Sequence, residues 1–247
     1  MKILFSLLFG ICCTGLLADD LALDKPVSIA AAEYLPFASE ELTNNGVLLD
    51  IASAAFKEQN LAAQFIFMPW SRTLAMTLGG NTDALAAGFY SQSRLNDFLF
   101  SEPILQVTSV FVSRRDGIEA HQLVNGLADL RVAVETGSVF EQQLADSGAI
   151  LERVTYLEQG IRMLLLGRLD LVLGTKARID HLMADFTKRE RRLLSQLSLF
   201  KGKHNLHLLF PKTAKGAQLR SAFNDGLAQL IRTHEYHAIL RRHHYIK

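Results

Sequence analysis

The chain has 247 residues, enough for one large domain or for two lobes of about 100 residues, each with its own hydrophobic core. Its 49% hydrophobic and 21% charged residues are typical of a globular protein. The 26 basic and 25 acidic residues nearly cancel, so no global positive field attracts nucleic acid. We interpret the basic clusters at residues 188–192 and 241–247 as a solvated helix face and a polar tail.

Residues 1–18 have the pattern of a secretory signal peptide. Lys2 is followed by an apolar run and by the small residue Ala18, directly before two aspartates. We expect cleavage after Ala18 and a periplasmic protein; a retained membrane anchor is the alternative, which the short length disfavours. Cys12 and Cys13 both lie inside this segment. The mature chain therefore has no cysteine for a disulfide or a thiolate metal site.

The remaining chain alternates between strand-like and helix-like patterns, which predicts an α/β fold. The first half gives a strand at 27–32, a helix from Val47, a strand at 64–68, a helix at 71–78 and a strand at 84–87. The second half gives a strand at 131–134, a helix after Ser138, a strand at 151–156, a helix at 158–166 and a strand at 171–173.

Two segments repeat one local pattern. LGGNTDALAAG at residues 78–88 and LLGRLDLVLG at 165–174 both read as a helix end, a glycine, an aspartate and an apolar strand. Gly80 and Asp83 in the first correspond to Gly167 and Asp170 in the second, and we assign both aspartates to turns rather than to catalysis. The repeat predicts two similarly built lobes.

Two β-branched segments, at residues 107–113 and 205–210, are long enough to connect such lobes. We interpret both as crossing strands, and the amphipathic helix at 215–232 as packing back on the first lobe. Two crossings form a hinge, and a cleft between lobes is a common place for a ligand.

Common catalytic motifs are missing from the sequence. It has no Gly-rich phosphate loop, no G-x-S-x-G and no H-E-x-x-H. The histidines at 204, 207, 234 and 237 lack an evident third ligand, so we interpret them as surface residues and predict no metal. No cofactor is implied.

The order of several short motifs resembles the periplasmic solute-binding proteins of family 3, the amino-acid-type receptors of ABC importers. The motifs are YLPF (34–37), GVLLDI (46–51), MPWSR (68–72), GGNTDALAAG (79–88), SQSR with FSEP (91–103), VETGS (134–138) and GRLD (167–170). The resemblance implies a type II periplasmic-binding-protein fold, with lobe 1 at 19–108 plus 206–247 and lobe 2 at 109–205. It also implies a monomer that presents a small solute to a membrane permease.

The same resemblance implies a set of ligand-binding residues. Arg94 would hold a carboxylate with its planar fork, and the turn at Gly137, Ser138 and Val139 would add backbone N–H groups at a helix start. Tyr34, Phe37 and Trp70 would form walls. The complete predicted set is Tyr34, Phe37, Trp70, Gly88, Phe89, Arg94, Gly137, Ser138, Val139 and Thr175. Each has a structural alternative: Arg94 as a surface charge, Trp70 as core filling, Ser138 as a helix cap.

Several positions depart from the family pattern. Relatives hold an α-ammonium group with acids where this chain has Ala31 and Thr175, and Ala86, Ala87 and Gly88 replace their serines. A buried ammonium without a carboxylate is costly, so we expect standard polar amino acids to bind weakly or not at all. Whether Glu33 or Glu135 supplies the missing carboxylate stays open at this point.

Three other functions remain as alternatives. A periplasmic dehydratase on the same scaffold needs an acid in the cleft, and the helix after Leu173 offers Lys176, Arg178 and only then Asp180. A ligand sensor would pass its signal to a membrane kinase or cyclase. An interaction module would bind no small solute. We predict a solute-binding protein that closes by hinge on a small carboxylate-bearing solute, and no enzyme.

Overall fold

The computed structural model describes residues 25–119, 121, 126–197 and 202–246. The predicted signal peptide, with Cys12 and Cys13, lies outside the described residues. The strands are β1 (Val27–Ala31), β2 (Ala63–Phe67), β3 (Ala84–Phe89), β4 (Phe98–Phe100), β5 (Leu105–Arg114), β6 (Arg131–Glu135), β7 (Ile150–Val154), β8 (Leu171–Thr175), β9 (Leu194–Leu197) and β10 (Lys203–Pro211). The helices are α1 (Val47–Lys57), α2 (Trp70–Leu78), α3 (Phe140–Asp146), α4 (Leu157–Leu165), α5 (Lys176–Ala184), α6 (Lys188–Arg192), α7 (Ala214–Arg232) and α8 (Glu235–Arg242).

The strands form one continuous hydrogen-bonded path in the order β2-β1-β3-β10-β5-β8-β6-β7. We call the part built around β1 to β4 lobe 1 and the part built around β6 to β9 lobe 2. In lobe 1, β1 lies parallel between β2 and β3; in lobe 2, β6 lies parallel between β7 and β8. Both lobes therefore share one strand arrangement, as the sequence repeat predicted.

The crossing strands are β5 and β10, which pair antiparallel to each other. The first part of β5, up to Thr108, pairs with β10 of lobe 1, and the part from Ser109 onward pairs with β8 of lobe 2. The partner changes between these two residues. A strand that changes sheets within one residue is a suitable hinge element.

The repeated aspartates perform the same local task in each lobe. Asp83 accepts hydrogen bonds from the backbone N–H of Ser28 at 2.9 Å and from its hydroxyl at 2.9 Å, and pairs with Lys215. Asp170 accepts from the backbone N–H of Arg131 at 2.8 Å and pairs with the same residue's guanidinium. Each carboxylate therefore joins the strand that follows it to the neighbouring parallel strand, and neither lines the space between the lobes.

Each lobe has its own hydrophobic interior. In lobe 1, α1 and α7 cover the sheet, and Phe56 and Phe223 meet with ring centroids 5.4 Å apart. The helices approach closely because Gly226 has no side chain: a Cβ there would lie 1.9 Å from the carbonyl oxygen of Ala55. In lobe 2, apolar residues of α4 pack against one face of β6 and β8, among them Ile161 and Leu164. Separate cores allow the lobes to move as units.

The C-terminal segment is not the polar tail that its composition suggests. Asp50 of α1 accepts hydrogen bonds from Arg242 at 3.0 Å and from His243 at 2.9 Å. The hydroxyl of Tyr245 donates to the carbonyl of Gln106 at 2.8 Å. The segment is thus part of lobe 1. The other basic cluster, α6, is exposed as predicted.

The prediction of surface histidines is wrong for part of the set. His207 is buried in β10, and its Nδ1 lies 2.7 Å from the carbonyl oxygen of Ser101. His204 is half-buried between the rings of Phe89 and Phe140. Successive side chains of β10 point to opposite faces of the sheet. Because β10 is a central strand that pairs with β3, β4 and β5, both faces are at least partly covered.

Candidate functional site

The cleft between the lobes contains the candidate site. Two adjoining spaces with volumes of about 40 Å³ and about 30 Å³ form what we call the inner cavity. Both are lined by Tyr34, Phe89, Glu135, Ser138 and Arg178, so lobe 1 and lobe 2 each contribute walls. Ligand pockets for small molecules are typically several hundred cubic ångströms, on the order of 300 Å³ or more. A solute of that class therefore enters by separation of the lobes.

Arg94 lies in this cleft and not on the outer surface. It belongs to a short 3₁₀ helix, Ser93–Asn96, directly after β3. Its guanidinium donates to the carbonyl oxygen of Phe89 at 3.0 Å and to that of Gly137, across the cleft, at 2.8 Å. Burial lowers the pKa of Arg94 to about 10, so the side chain stays charged at neutral pH. Among the described residues no carboxylate forms an ion pair with it.

The turn at Gly137 faces lobe 1 through its carbonyl group. Trp70 Nε1 donates to the Gly137 oxygen at 3.0 Å, and the Arg94 guanidinium lies 5.1 Å from the centroid of the Trp70 ring. The backbone N–H of Gly137 donates to the Glu141 carboxylate, and that of Ser138 donates to the Glu135 carbonyl. In this conformation both N–H groups are therefore occupied, which differs from the expected anion-binding turn. Ser138 also caps: its Oγ accepts from Phe140 N at 3.2 Å.

Tyr34 and Thr175 meet across the cleft. The two hydroxyl oxygens are 3.0 Å apart, and Tyr34 is 9% exposed. Burial raises the pKa of Tyr34 to about 12, with the Thr175 hydrogen bond opposing the rise. Thr175 ends β8, so a neutral hydroxyl pair lies at the position where the motif resemblance led us to expect an acid.

A buried ion pair that the motif pattern did not assign forms the floor of the inner cavity. Arg178 donates from Nη1 and Nη2 to the two carboxylate oxygens of Glu135, at 2.6 Å and 2.8 Å. The side chains are only 10% and 19% exposed. The Arg178 guanidinium also lies 5.2 Å from the centroid of the Tyr34 ring. The sequence signal was weak: Glu135 ends β6, and Arg178 lies on the first turn of α5, 43 residues later.

Two members of the predicted set do not line the inner cavity. Phe37 is 1% exposed and belongs to the lobe 1 core, where it packs between the rings of Tyr34 and Tyr245. Gly88 faces Leu209, because a Cβ at that position would lie 2.0 Å from the leucine side chain. The remaining eight lie at the cleft: Tyr34, Trp70, Phe89, Arg94, Ser138, Val139 and Thr175 line it, and Gly137 contacts two of them.

The two open questions about carboxylates have different structural answers. Ala31, which stands where the resemblance implies an acid, is fully buried in β1. Glu33 is exposed at the rim of the inner cavity, where its Oε1 accepts from the Glu40 backbone N–H at 3.1 Å. Glu135 is inside the cavity but is engaged by Arg178.

Besides a groove of about 250 Å³ next to Asp116 and Asp170 of lobe 2, two further grooves lie outside the inner cavity. One, of about 210 Å³, continues it outward past Glu33 and Trp70 to Tyr156 of lobe 2. The other, of about 680 Å³, lies on lobe 1 alone, between α1, β2 and α8, with Asp50 and Arg242 in its walls. Although wider, the second groove is open to solvent and does not contact lobe 2, so lobe closure cannot enclose a solute there.

Fold and cleft define a two-lobed binding protein with the type II periplasmic-binding-protein fold. The family model of the bacterial extracellular solute-binding proteins, family 3, matches residues 27–245. The chain therefore belongs to this family, which confirms the resemblance that the motifs carry. A comparison with curated proteins gives no match.

Solved structures share the fold at low sequence identity. A histidine kinase sensor domain similar to periplasmic binding proteins superposes with a TM-score of 0.78 at 20% identity, over 88% of this chain and 95% of that one. The arginine-, lysine- and histidine-binding protein ArtJ of Geobacillus stearothermophilus gives 0.75 at 17%, over 88% and 94%. The GluR0 ligand-binding core of Nostoc punctiforme, in complex with L-glutamate, gives 0.74 at 16%, over 88% and 98%.

Two further findings concern membranes and metals, and both apply to residues 25–119, 121, 126–197 and 202–246. Within them, no helix has the length and apolar character required to cross a membrane. No group of three or more His, Cys, Asp or Glu side chains in the same ranges has an arrangement that could hold a metal ion.

Proposed function

We propose that this protein is a periplasmic receptor that closes by hinge on a small carboxylate-bearing solute and delivers it to an ABC importer in the inner membrane. The observation that carries the proposal is Arg94, a charged guanidinium inside the cleft that bonds only carbonyl oxygens within the described residues. A carboxylate on a solute is the partner that such a fork recognises in two hydrogen bonds.

Closure follows from the same geometry. Arg94 and Trp70 of lobe 1 both reach Gly137 of lobe 2, so a solute carboxylate at Arg94 would lie at the point where the lobes touch. A solute that contacts both lobes shifts the population toward the closed form. We place the lobe boundaries after residue 108 and after residue 205, and Trp70, Tyr34, Phe89, Ser138, Val139 and Thr175 around the solute.

Binding without catalysis is part of the proposal. The acid inside the cavity, Glu135, is held by Arg178, and Asp180 of α5 forms an exposed pair with Lys176 at 2.5 Å. A dehydratase needs an acid that is free to donate a proton near the solute. Turnover of prephenate or arogenate, lost in Glu135→Gln, would replace this part of the proposal with an enzyme.

The test is a thermal-shift screen of the mature protein with amino acids, dicarboxylates, aromatic acids and short peptides. Binding to the folded state raises the melting temperature by mass action. We expect a hit that disappears in Arg94→Ala and persists in Arg72→Ala, because Arg72 is exposed on α2. A hit that survives Arg94→Ala would contradict the role of Arg94, and silence across the library would favour an interaction module without a solute.

A ligand sensor is the second candidate, because a histidine kinase sensor domain is among the structural neighbours. Such a protein would act through the ectodomain of a membrane kinase. Pull-downs with the solute present, using a permease and a sensor ectodomain as bait, separate the two roles. We expect a monomer that binds the permease.

A further inference from the structure

The Arg178–Glu135 ion pair lines both spaces of the inner cavity. The two terminal nitrogens of the Arg178 guanidinium each donate to one oxygen of Glu135, at 2.6 Å and 2.8 Å. This geometry uses one lone-pair site on each carboxylate oxygen and neutralises the charge that Glu135 would otherwise offer to a cationic ligand group. Arg178 also stacks over Tyr34, so its position is fixed from both lobes.

The pair decides the charge that a bound solute meets. Two guanidinium groups, of Arg94 and Arg178, face the cavity, whereas Glu135 is the buried carboxylate there. Glu33 lies at the exposed rim, bonded to the backbone of Glu40. The two guanidinium groups and one carboxylate leave the inner cavity with one excess positive charge. The carboxylate of a bound solute would neutralise it. An ammonium group on the solute would add a third positive charge to this desolvated site. No unpaired buried carboxylate among the described residues is there to accept its hydrogen bonds.

The uncharged walls show what else a solute must offer. Phe89 lines both spaces of the inner cavity, Val139 lines the larger one, and the smaller one is also lined by Phe140, Leu157 and Leu173. The polar groups that remain are the hydroxyls of Ser138 and of the Tyr34–Thr175 pair. This composition matches an apolar body with a carboxylate at one end.

We propose that Arg178 is a specificity-determining residue: by occupying Glu135 it excludes α-ammonium groups, so that the receptor selects monocarboxylates with an uncharged, apolar body over the corresponding amino acids. This inference rests on the proposed solute-binding function. Arg178 would then account for the loss of zwitterion binding, because it keeps the Glu135 carboxylate from pairing with a cation on the solute.

The first test compares matched ligands on the wild-type protein by calorimetry. Phenylpropanoate is compared with phenylalanine and isocaproate with leucine, since each pair differs in the ammonium group alone. We expect the deaminated acid to bind at least about tenfold more tightly in each pair, because the amino acid brings an additional positive charge into a buried site that already has a positive excess. Equal or tighter binding of the amino acids would overturn the inference while the solute-binding function stands. No binding of either member would overturn both.

The second test assigns the selectivity to Arg178. In Arg178→Met the Glu135 carboxylate is released, and we expect the preference for the deaminated acid to shrink at least about tenfold or to reverse. In Glu135→Gln with Arg178→Met the only remaining acid among the described residues that line the cavity is Glu33, at the exposed rim, and we expect the wild-type preference to return. Arg162→Met is the matched control, because its ion pair with Glu158 is exposed on α4 outside the inner cavity, and for it we expect no change in preference. A preference unchanged in Arg178→Met would remove Arg178 from this role.

Folding of each variant is measured by its melting curve, because Arg178→Met leaves a buried carboxylate without its partner. The double variant removes both charges and keeps the comparison valid if the single variant is unstable. If amino acids then bind the double variant as well as their deaminated partners, the exclusion does not come from charge, and the inference fails.

Discussion

The hydroxyl of Tyr34 in lobe 1 and the hydroxyl of Thr175 in lobe 2 lie 3.0 Å apart, at residues separated by 141 positions in the chain. Both groups are buried, and the raised pKa of Tyr34 keeps its hydroxyl protonated over the whole working range of pH. The bond is therefore a neutral latch that exists only while the lobes are together. It belongs to the same closed arrangement as the contacts of Trp70 and Arg94 with Gly137.

Tyr34→Phe should weaken closure without unfolding either lobe. A buried hydrogen bond of this kind contributes about 1 kcal/mol, so we expect about a fivefold loss of solute affinity, measured by calorimetry. Tyr236→Phe is the matched control, because its hydroxyl donates to the Ile104 carbonyl at 2.7 Å within lobe 1. The control should lower the melting temperature and leave affinity unchanged. An equal loss of affinity in both variants would remove the latch role.

Trp70 should report closure by its fluorescence. It is the single tryptophan of the chain, and its indole N–H contacts Gly137 of the other lobe. We expect a solute that binds the cleft to shift the emission to shorter wavelength, because the ring leaves water when the lobes close. A solute that raises the melting temperature but leaves the emission unchanged would mean that it binds elsewhere, for example in the groove beside Asp50.

Asp83→Asn and Asp170→Asn should destabilise the fold at neutral pH in parallel. Burial raises the pKa of Asp83, but hydrogen bonds with Lys215 and Ser28 outweigh it and the net pKa lies below its ordinary value of 3.8. Hydrogen bonds from Arg131 lower the pKa of Asp170 in the same way. A lowered folded-state pKa contributes stability above the unfolded value, and this stability is lost as the pH falls through the folded pKa.

The measurement is urea unfolding of both variants and the wild type at pH 7 and below pH 4. We expect the loss of unfolding free energy in each variant to be largest at pH 7. The loss should shrink in acid, where protonation makes the wild-type aspartates neutral like the asparagines. A deficit that does not depend on pH would mean that shape and hydrogen bonding, and not charge, determine the effect.

His204 should make stability fall on mild acidification. The ring packs between Phe89 and Phe140, and its Nε2 lies 3.0 Å from the Ser109 hydroxyl. Burial lowers the pKa of His204 below its ordinary 6.5. The unfolded state therefore binds the proton more readily, and stability decreases as the pH falls below 6.5 toward the folded pKa. Between pH 7 and pH 5 we expect the melting temperature of His204→Gln to change less than that of the wild type.

His237→Gln is the control for this series, because His237 is exposed on α8. Its pH dependence should follow the wild type. Since the pKa of the buried His207 is lowered as well, part of the acid sensitivity should remain in His204→Gln. A variant with the full wild-type dependence would show that His204 does not titrate in this range.

Ala87→Gly should be tolerated better than Ala86→Gly. Both residues lie in β3, but Ala87 has a φ of 62°, in the left-handed region that favours glycine, and Ala86 does not. The strain at Ala87 offsets the usual cost of glycine in a strand, which is roughly 0.5–1 kcal/mol. We expect Ala86→Gly to lower the unfolding free energy by about 1 kcal/mol more than Ala87→Gly. The opposite order would show that Ala87 is not strained.

Local patterns determined most of the architecture. The apolar spacing of α1 and the glycine stop after α2 predicted those elements to within a residue or two, and the G-x-x-D repeat predicted two lobes with one strand order. These features depend on neighbours three or four positions away, which a sequence displays directly. The placement of Arg94 and Trp70 at the cleft followed from the family resemblance and not from local spacing.

Contacts between distant segments were decided by the tertiary structure alone. Phe37 and Tyr34 share one motif, yet one is in the core and the other in the cleft, because the turn between them directs their side chains to different neighbours. Glu135 and Arg178 are 43 residues apart and meet only because β6 and β8 are adjacent parallel strands. Neither burial nor charge pairing can be read from local spacing, since both depend on what the rest of the chain packs against the residue.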